Sequence, residues 1–161
     1  MMLFESGVYK IDIDIERTRN YYENEGQISC DCASCRNFLQ AYKHIPAEIR
    51  QFFEAIGVSV EKPDELSPNF GYNIATANYG ATYYVCGTIL EGTNPWIQVD
   101  SHRYQINEQY YINPHEDCSL YFSASPFLLH PGKPSPTIEM QVQFQLPWVL
   151  DEPNAHFIPR E

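Results

Sequence analysis

The chain has 161 residues, of which 43% are hydrophobic, and its net charge is −11. This length suits a single domain over 1–161, and this apolar content favours a packed core over disorder. The ten lysines and arginines are spread thinly and form no basic stripe of the kind that binds phosphates, so direct nucleic-acid binding is not expected. The acidic excess is interpreted as solubilising surface charge, with mimicry of nucleic acid toward a basic protein as the sharper alternative.

The cysteine count and the absence of export signals indicate a reducing compartment. The first residues, Met1 to Glu5, contain no apolar core of a secretory signal, and no apolar run reaches the about 18 residues of a membrane span. We therefore expect a cytoplasmic protein with no membrane partner. Five cysteines, three of them within six residues, then favour metal or redox chemistry over disulfides.

Residues 9–15 alternate between apolar and polar side chains, which predicts a half-buried strand. Its polar side carries Asp12 and Asp14, and Glu16 follows, so the strand is expected to present an acidic face. The polar stretch 16–27 then begins with a short segment of helical character.

Two helices are predicted after the cysteine cluster. Residues 36–44 and 47–56 carry apolar side chains at helical spacing, and Pro46 separates the two segments. Gly57 is expected just beyond the second helix, in the position that favours a left-handed backbone. The cysteines and this helical hairpin together form the unit 28–57.

Beyond residue 70 the hydrophobic period changes to two, which predicts a mainly β region over 70–150 followed by a polar tail over 151–161. Strands are predicted at 82–90, 96–99, 104–106, 110–112, 120–122 and 138–148. The proline-rich segment 124–136 is expected to be a surface loop. The predicted fold is α+β: an antiparallel sheet of five to seven strands with an N-terminal helical hairpin packed on one face.

The pattern Cys30-x-Cys32-x-x-Cys35, which we call the cysteine knuckle, is the most specific motif. A tight turn at this spacing brings three sulfurs within reach of one ion, and zinc requires a fourth ligand. Cys118 is the first choice for that ligand, and the alternatives left open are His115, Cys86 and His102. His44, nine residues beyond Cys35 on the predicted helix, lies too far along the helix axis.

The same motif contains Cys32-Ala-Ser-Cys35, a Cys-x-x-Cys pair at the start of a helix, as in thiol-redox proteins. Such pairs usually follow a buried strand in a βαβ unit, and here a polar segment precedes them. The third thiol, Cys30, also favours metal over redox chemistry.

No sequence signature of an enzyme is present, so no catalytic residue is assigned and an enzymatic function is not favoured. The run Asp100-Ser101-His102 is interpreted as a turn, because neighbours in a strand point to opposite faces. His115-Glu116-Asp117 follows a turn signature and is expected to cap a loop.

Two patterns, a row of glutamines and a pair of tryptophans, could serve ligand binding. Gln141, Gln143 and Gln145 line the polar side of the last predicted strand, where they could bind sugars, although a solvated sheet face is the ordinary interpretation. Trp96 and Trp148 each adjoin a proline and are interpreted as core anchors at strand ends, with a ligand groove as the alternative.

Three segments carry a family resemblance: Cys30-Asp-Cys32-Ala-Ser-Cys35-Arg-Asn-Phe38, the segment from Phe53 to Leu66, and Pro147 to Leu150. Together they resemble a group of small uncharacterised proteins from Gram-positive anaerobic bacteria. The resemblance implies a shared fold with a cysteine knuckle and brings no assigned activity. Cys86 and Cys118 are not part of the shared pattern.

The favoured interpretation is a non-enzymatic, acidic protein-binding module with a structural zinc knuckle. Its expected partner is a protein, met by the face that includes Asp12, Asp14 and Glu16. An origin in a mobile element would make it an inhibitor of a basic, nucleic-acid-handling protein. The alternatives are a thiol-redox enzyme using Cys32 and Cys35, and a carbohydrate- or small-ligand-binding β protein.

Overall fold

The computed structural model describes residues 1–124 and 136–160. Its helices and strands, in chain order, are β1 (Met2–Ser6), β2 (Tyr9–Ile13), α1 (Ile15–Asn24), α2 (Ala33–Ala41), α3 (Ala47–Ile56), β3 (Glu65–Asn69), β4 (Thr76–Glu91), β5 (Trp96–Gln98), β6 (Tyr104–Ile106), β7 (Ile112–His115), β8 (Cys118–Ser123) and β9 (Thr137–Pro147). Short 3₁₀ turns occupy Tyr42–His44 and Glu108–Tyr110.

Seven of these strands form one sheet in which every pairing is antiparallel. The order is β1-β2-β4-β9-β8-β7, with β3 also paired to β4, while β5 and β6 form a separate hairpin. Strand β4 spans 16 residues and is the centre of the sheet. It pairs with β9 along one edge and with β3 and then β2 along the other. The predicted α+β class and a sheet of up to seven strands are confirmed.

Helix α1 fills the gap between β3 and β2 on that second edge of β4. The Tyr22 hydroxyl donates to the Tyr84 carbonyl and accepts from the Tyr84 N–H, both at 2.9 Å. The Thr18 hydroxyl accepts from the Cys86 N–H at 3.0 Å, and the Cys86 carbonyl accepts from the Asp14 N–H at 2.8 Å. Helix side chains therefore satisfy strand groups that would otherwise be buried without partners.

Helices α2 and α3 cover one face of the sheet through aromatic contacts. The Phe38 ring of α2 lies 5.4 Å from that of Tyr79 and 6.1 Å from that of Phe144. The Phe53 ring of α3 lies 5.1 Å from that of Tyr83 and 6.0 Å from that of Phe144. Edge-to-face and tilted pairs of this kind add to the free energy of burial. The two helices thus share a single aromatic patch on β4 and β9.

The predicted N-terminal helical hairpin is not confirmed, because the chain begins with strands. Strands β1 and β2 pair from Met2–Ile13 to Ser6–Tyr9 around a turn that contains Gly7 at φ +54°. Helix α3 occupies the predicted segment 47–56, and Gly57 adopts the left-handed backbone at φ +82°. Helix α2 begins three residues before the predicted segment 36–44 and ends at Ala41, where the 3₁₀ turn follows. With only six residues before Gly7, the first strand is too short for its alternation to be recognised in the sequence.

Other strand predictions differ from the structure at their ends. The predicted strand 110–112 begins only at Ile112, because the Asn107 side chain accepts from the Gln109 N–H and caps a 3₁₀ turn there. Strand β3 was not among the predicted strands; it contains Pro68, which an edge strand tolerates. The alternation of β9 is confirmed in its even-numbered side chains, which are buried, while Glu139 on the opposite side is buried as well. Most of the predicted loop 124–136 lies outside the described residues.

The segment after β9 packs back onto the start of β4. The Asn154 amide donates to the carbonyls of Ile74 and Thr76 at 2.7 and 2.9 Å. The His156 carbonyl accepts from the Gly71 N–H at 2.9 Å, and the Gly71 carbonyl accepts from the Ile158 N–H at 2.8 Å. The C-terminal segment is thereby held beside β3. No helix in the described part of the chain is long and apolar enough to cross a membrane.

Candidate metal centre

The cysteine knuckle lies where an extended segment enters helix α2. Cys32 is the residue that caps the helix, with an extended backbone, and its carbonyl accepts the first helical bond from the Arg36 N–H at 2.9 Å. Cys35 lies in the first turn and Cys30 two residues before the cap. The three Sγ atoms lie within 4.8 Å of one another, and those of Cys30 and Cys32 are 3.3 Å apart.

This spacing is compatible with a metal ion. Sulfurs around one tetrahedral zinc lie about 3.8 Å apart, which follows from a Zn–S bond of about 2.3 Å. The knuckle therefore needs only small movements to hold an ion. The three cysteines are free thiols, exposed at Cys30 and Cys32 and buried at Cys35.

The electrostatic setting differs between the thiols. Backbone N–H groups at the helix N-terminus, that of Cys35 above all, together with the Cys30 thiol, lower the pKa of Cys32. Burial and the two neighbouring thiols raise the pKa of Cys35 well above its usual range. A bound cation would favour the thiolate of Cys35 despite its burial, because metal coordination deprotonates thiols.

Two buried polar residues fasten the knuckle and α2 to the sheet. The Tyr79 hydroxyl of β4 donates to the Ser34 carbonyl at 2.7 Å. The fully buried Asn37 amide donates to the Tyr79 hydroxyl at 3.1 Å and to the Pro147 carbonyl at 3.2 Å, and its oxygen accepts from the Val149 N–H at 2.8 Å. The helix start is thus bonded to the ends of both β4 and β9.

An exposed ion pair completes this arrangement. The Arg36 guanidinium contacts the Glu152 carboxylate and donates to the Asp31 carbonyl inside the knuckle at 2.9 Å. The guanidinium lowers the pKa of Glu152. Trp148 donates from its indole N–H to the Glu152 carbonyl at 3.0 Å. Both charged side chains are partly exposed to water, so the pair positions the knuckle more than it stabilises the fold.

The predicted candidates for a fourth ligand lie elsewhere in the described chain. Cys118 is buried in β8, and burial raises its pKa to about 12. Cys86 is buried in β4, His102 is exposed in the β5–β6 turn, and His115 is the last residue of β7. The group of three sulfurs includes none of these four. The choice of Cys118 stays a prediction.

The two turns identified in the sequence behave as turns. Asp100 accepts from the His102 N–H at 2.9 Å, and its carboxylate pairs with Arg103. His115 accepts at Nδ1 from the Asp117 N–H at 3.1 Å in the β7–β8 turn. His115, Glu116 and Asp117 also bring their ligand atoms within 4.8 Å, but half-exposed groups in a hairpin turn are ordinary surface features.

The polar face of β9 is engaged within the sheet. Gln143 accepts from the Asn69 amide at 3.2 Å, and Gln141 accepts from the Thr82 hydroxyl at 3.1 Å. Gln143 and Gln145 are exposed, as the alternation predicts. These contacts are those of a solvated antiparallel sheet.

Sequence reasoning missed His156. Its side chain is only 1% exposed, and Nδ1 lies 3.2 Å from the Asn69 carbonyl. Nε2 is buried and has no hydrogen-bond partner among residues 1–124 and 136–160. The sequence offered no signal for this, because a single histidine in a polar C-terminal segment is ordinarily exposed.

Comparison with known proteins finds no family model, no curated protein and no solved structure that matches this chain.

Proposed function

We propose that the protein is a non-enzymatic protein-binding module whose cysteine knuckle holds a structural zinc ion. The observation that carries the proposal is the convergence of three Sγ atoms within 4.8 Å at the start of α2. Thiolate ligands favour soft or borderline ions, and zinc is the borderline ion most often held by clustered cysteines in structural sites.

The location of the knuckle supports a structural role. Ser34, between Cys32 and Cys35, is bonded to Tyr79 of β4, and Asn37 one turn further is bonded to the end of β9. A metal ion there would lock the extended segment before α2 against the sheet. Binding energy of this kind becomes folding energy, since the unfolded chain has no preformed site.

The proposed partner is a basic protein, supported by the net charge of −11. Asp12 lies on the outer side of β2, opposite the half-exposed Leu3 of β1, so carboxylate and apolar surface adjoin. Glu16 is exposed in the first turn of α1. Asp14 contributes less, because its carboxylate accepts from the Arg17 N–H and caps α1. For a mobile-element protein, such a partner would be a nucleic-acid-handling protein of the host.

The metal assignment is tested by metal content and thiol protection on protein purified without reductant. We expect one zinc per chain, with the exposed thiols of Cys30 and Cys32 protected until the metal is removed by a chelator. Cys32→Ser should lose most of the zinc, whereas the matched control Cys86→Ser, at a buried thiol outside the knuckle, should keep it. Wild-type protein without bound metal, or equal zinc loss in both variants, would refute the assignment.

The partner is tested separately by capture from a host lysate at low and moderate salt. A basic protein should be retained by wild-type protein and released by Asp12→Lys, with Glu108→Lys, an exposed acidic residue in the 3₁₀ turn after β6, as the control. Capture unchanged in Asp12→Lys would contradict the proposed face, and recovery of no basic protein would contradict the proposed partner.

A thiol-redox enzyme is the second candidate. An exposed Cys32 of lowered pKa before a buried Cys35 of raised pKa is the arrangement of an attacking and a resolving thiol. This candidate predicts catalysis of insulin reduction by dithiothreitol that is abolished in Cys32→Ser and retained in Cys30→Ser. Zinc binding predicts that the metal-loaded protein has no such activity.

A further inference from the structure

We propose that His156 is the fourth ligand of the metal on the cysteine knuckle, binding through Nε2 to give a Cys₃His site. This inference rests on the proposed zinc knuckle and replaces Cys118 as the predicted fourth ligand. It is carried by the combination of a convergent three-thiol cluster and a buried imidazole whose second nitrogen is unpartnered among the described residues.

The hydrogen bonding of His156 selects the tautomer that a metal needs. A carbonyl can only accept, so the 3.2 Å contact between Nδ1 and the Asn69 carbonyl requires a proton on Nδ1. In the neutral ring, Nε2 then carries a bare lone pair. Zinc-ligating histidines have this arrangement, in which one ring nitrogen binds the metal and the other donates to a backbone carbonyl or carboxylate.

Burial makes the unpartnered Nε2 significant. The ring is surrounded by aromatic side chains, with centroids 4.9 Å from Tyr79, 5.6 Å from Trp148 and 6.5 Å from Phe70. A buried polar atom without a partner costs about 1–3 kcal/mol. A metal ion bound to Nε2 would remove that penalty, and His156 would at the same time supply the missing fourth ligand.

The same two aromatic residues connect His156 to the knuckle. The Tyr79 ring meets the imidazole edge to face, and its hydroxyl donates to the carbonyl of Ser34, between the cysteines. Trp148 packs against the imidazole and donates to the Glu152 carbonyl, while the Glu152 side chain pairs with Arg36, next to Cys35. Both paths from His156 therefore end within the knuckle or one residue from it.

Some movement is required, because the ligand atoms that lie within 4.8 Å of one another are those of the three cysteines. The segment before α2 has no helix or strand, and Cys30 and Cys32 are exposed, so these residues can shift with little loss of packing. On binding, the three thiols release their protons to solvent and Nε2 releases none. The completed site would tie residues 30–35 to the C-terminal segment.

The ligand set is read directly from wild-type protein loaded with ¹¹³Cd²⁺. Cadmium-edited proton spectra correlate the metal with each coordinating side chain, and we expect the β-protons of Cys30, Cys32 and Cys35 and the imidazole protons of His156. Correlations to Cys118, or to the three cysteines alone, would overturn the inference and leave the zinc knuckle intact. Failure to bind one metal per chain would overturn both.

Variants provide the second measurement, by zinc competition with a chromophoric chelator. His156→Gln is expected to weaken zinc binding by about 100-fold or more, beyond the 10–100-fold typical of losing an outer-shell partner. His102→Gln removes an exposed histidine and should leave affinity unchanged. Equal affinities in the two variants, with His156→Gln folded by circular dichroism, would contradict the inference. If His156→Gln does not fold, the wild-type cadmium spectra decide.

Discussion

Replacing Asn37 by alanine tests whether a single buried amide fastens the knuckle and α2 to the sheet. Asn37 is fully buried and joins three groups: the Tyr79 hydroxyl, the Pro147 carbonyl and the Val149 N–H. The alanine variant removes all three hydrogen bonds. Tyr79 keeps its bond to Ser34, so two backbone groups lose the partner that Asn37 supplied.

The magnitude follows from those two groups. A donor or acceptor left without a partner costs about 1–3 kcal/mol, and these two lie at the low end because both bonds are only part-buried, so we expect the free energy of unfolding to fall by about 2–3 kcal/mol. That is an appreciable part of the about 5–15 kcal/mol that holds a typical domain together. In a chain of this length it corresponds to a fall in melting temperature of about 4–12 °C.

The assay is urea unfolding followed by circular dichroism, with Asn24→Ala as the matched control. Asn24 is exposed in α1 and makes one hydrogen bond, to the Asn20 carbonyl at 2.9 Å, so its replacement should change stability by at most about 0.5 kcal/mol. If Asn37→Ala loses less than about 1 kcal/mol more than Asn24→Ala, the anchoring role of this amide is refuted.

Three further outcomes are expected. Tyr22→Phe should cost about 2–5 kcal/mol in urea unfolding, because both backbone groups of Tyr84 lose the hydroxyl that bonds them; a loss below 1 kcal/mol would contradict this. Gly87→Ala should lower the free energy of unfolding by more than about 2 kcal/mol, seen as a lower urea midpoint, because the added Cβ would lie 2.2 Å from the Asp12 carbonyl oxygen; an unchanged midpoint would refute the close approach. In metal-free protein, the lowered pKa of Cys32 should give iodoacetamide alkylation a pH midpoint below the about 8.5 of an ordinary thiol, and a midpoint at or above that value would count against it.

Where a local pattern was long enough, prediction from the sequence succeeded. The alternation over 138–148 became β9, and the apolar stripe of 47–56 became α3 with Gly57 at its end. The knuckle is equally local, because Cys30, Cys32 and Cys35 span six residues that a single turn brings together. The hydrophobic period and the cysteine spacing are set within short stretches of sequence, so these features can be recognised without knowledge of the rest of the chain.

Features that depend on distant pairing could not be predicted in this way. Strands β1 and β3 are five residues each, and they are strands because β2 and β4 lie beside them. The helical character of the polar segment that forms α1 is a local feature. Its packing beside β4 is not, because Tyr22 and Thr18 bond to Tyr84 and Cys86, more than sixty residues away.

The sequence by itself determined the α+β class, the buried face of the last strand and the three-cysteine knuckle, because each depends on residues that are close together in the chain. Only the tertiary structure decided what surrounds that knuckle. It buried His156 beside Tyr79, left Nε2 without a partner among the described residues, and placed Cys118 in the core outside the group of three sulfurs. The proposed metal site, closed by a ligand 121 residues from Cys35, depends on the packing of the whole chain, and no local spacing could have indicated it.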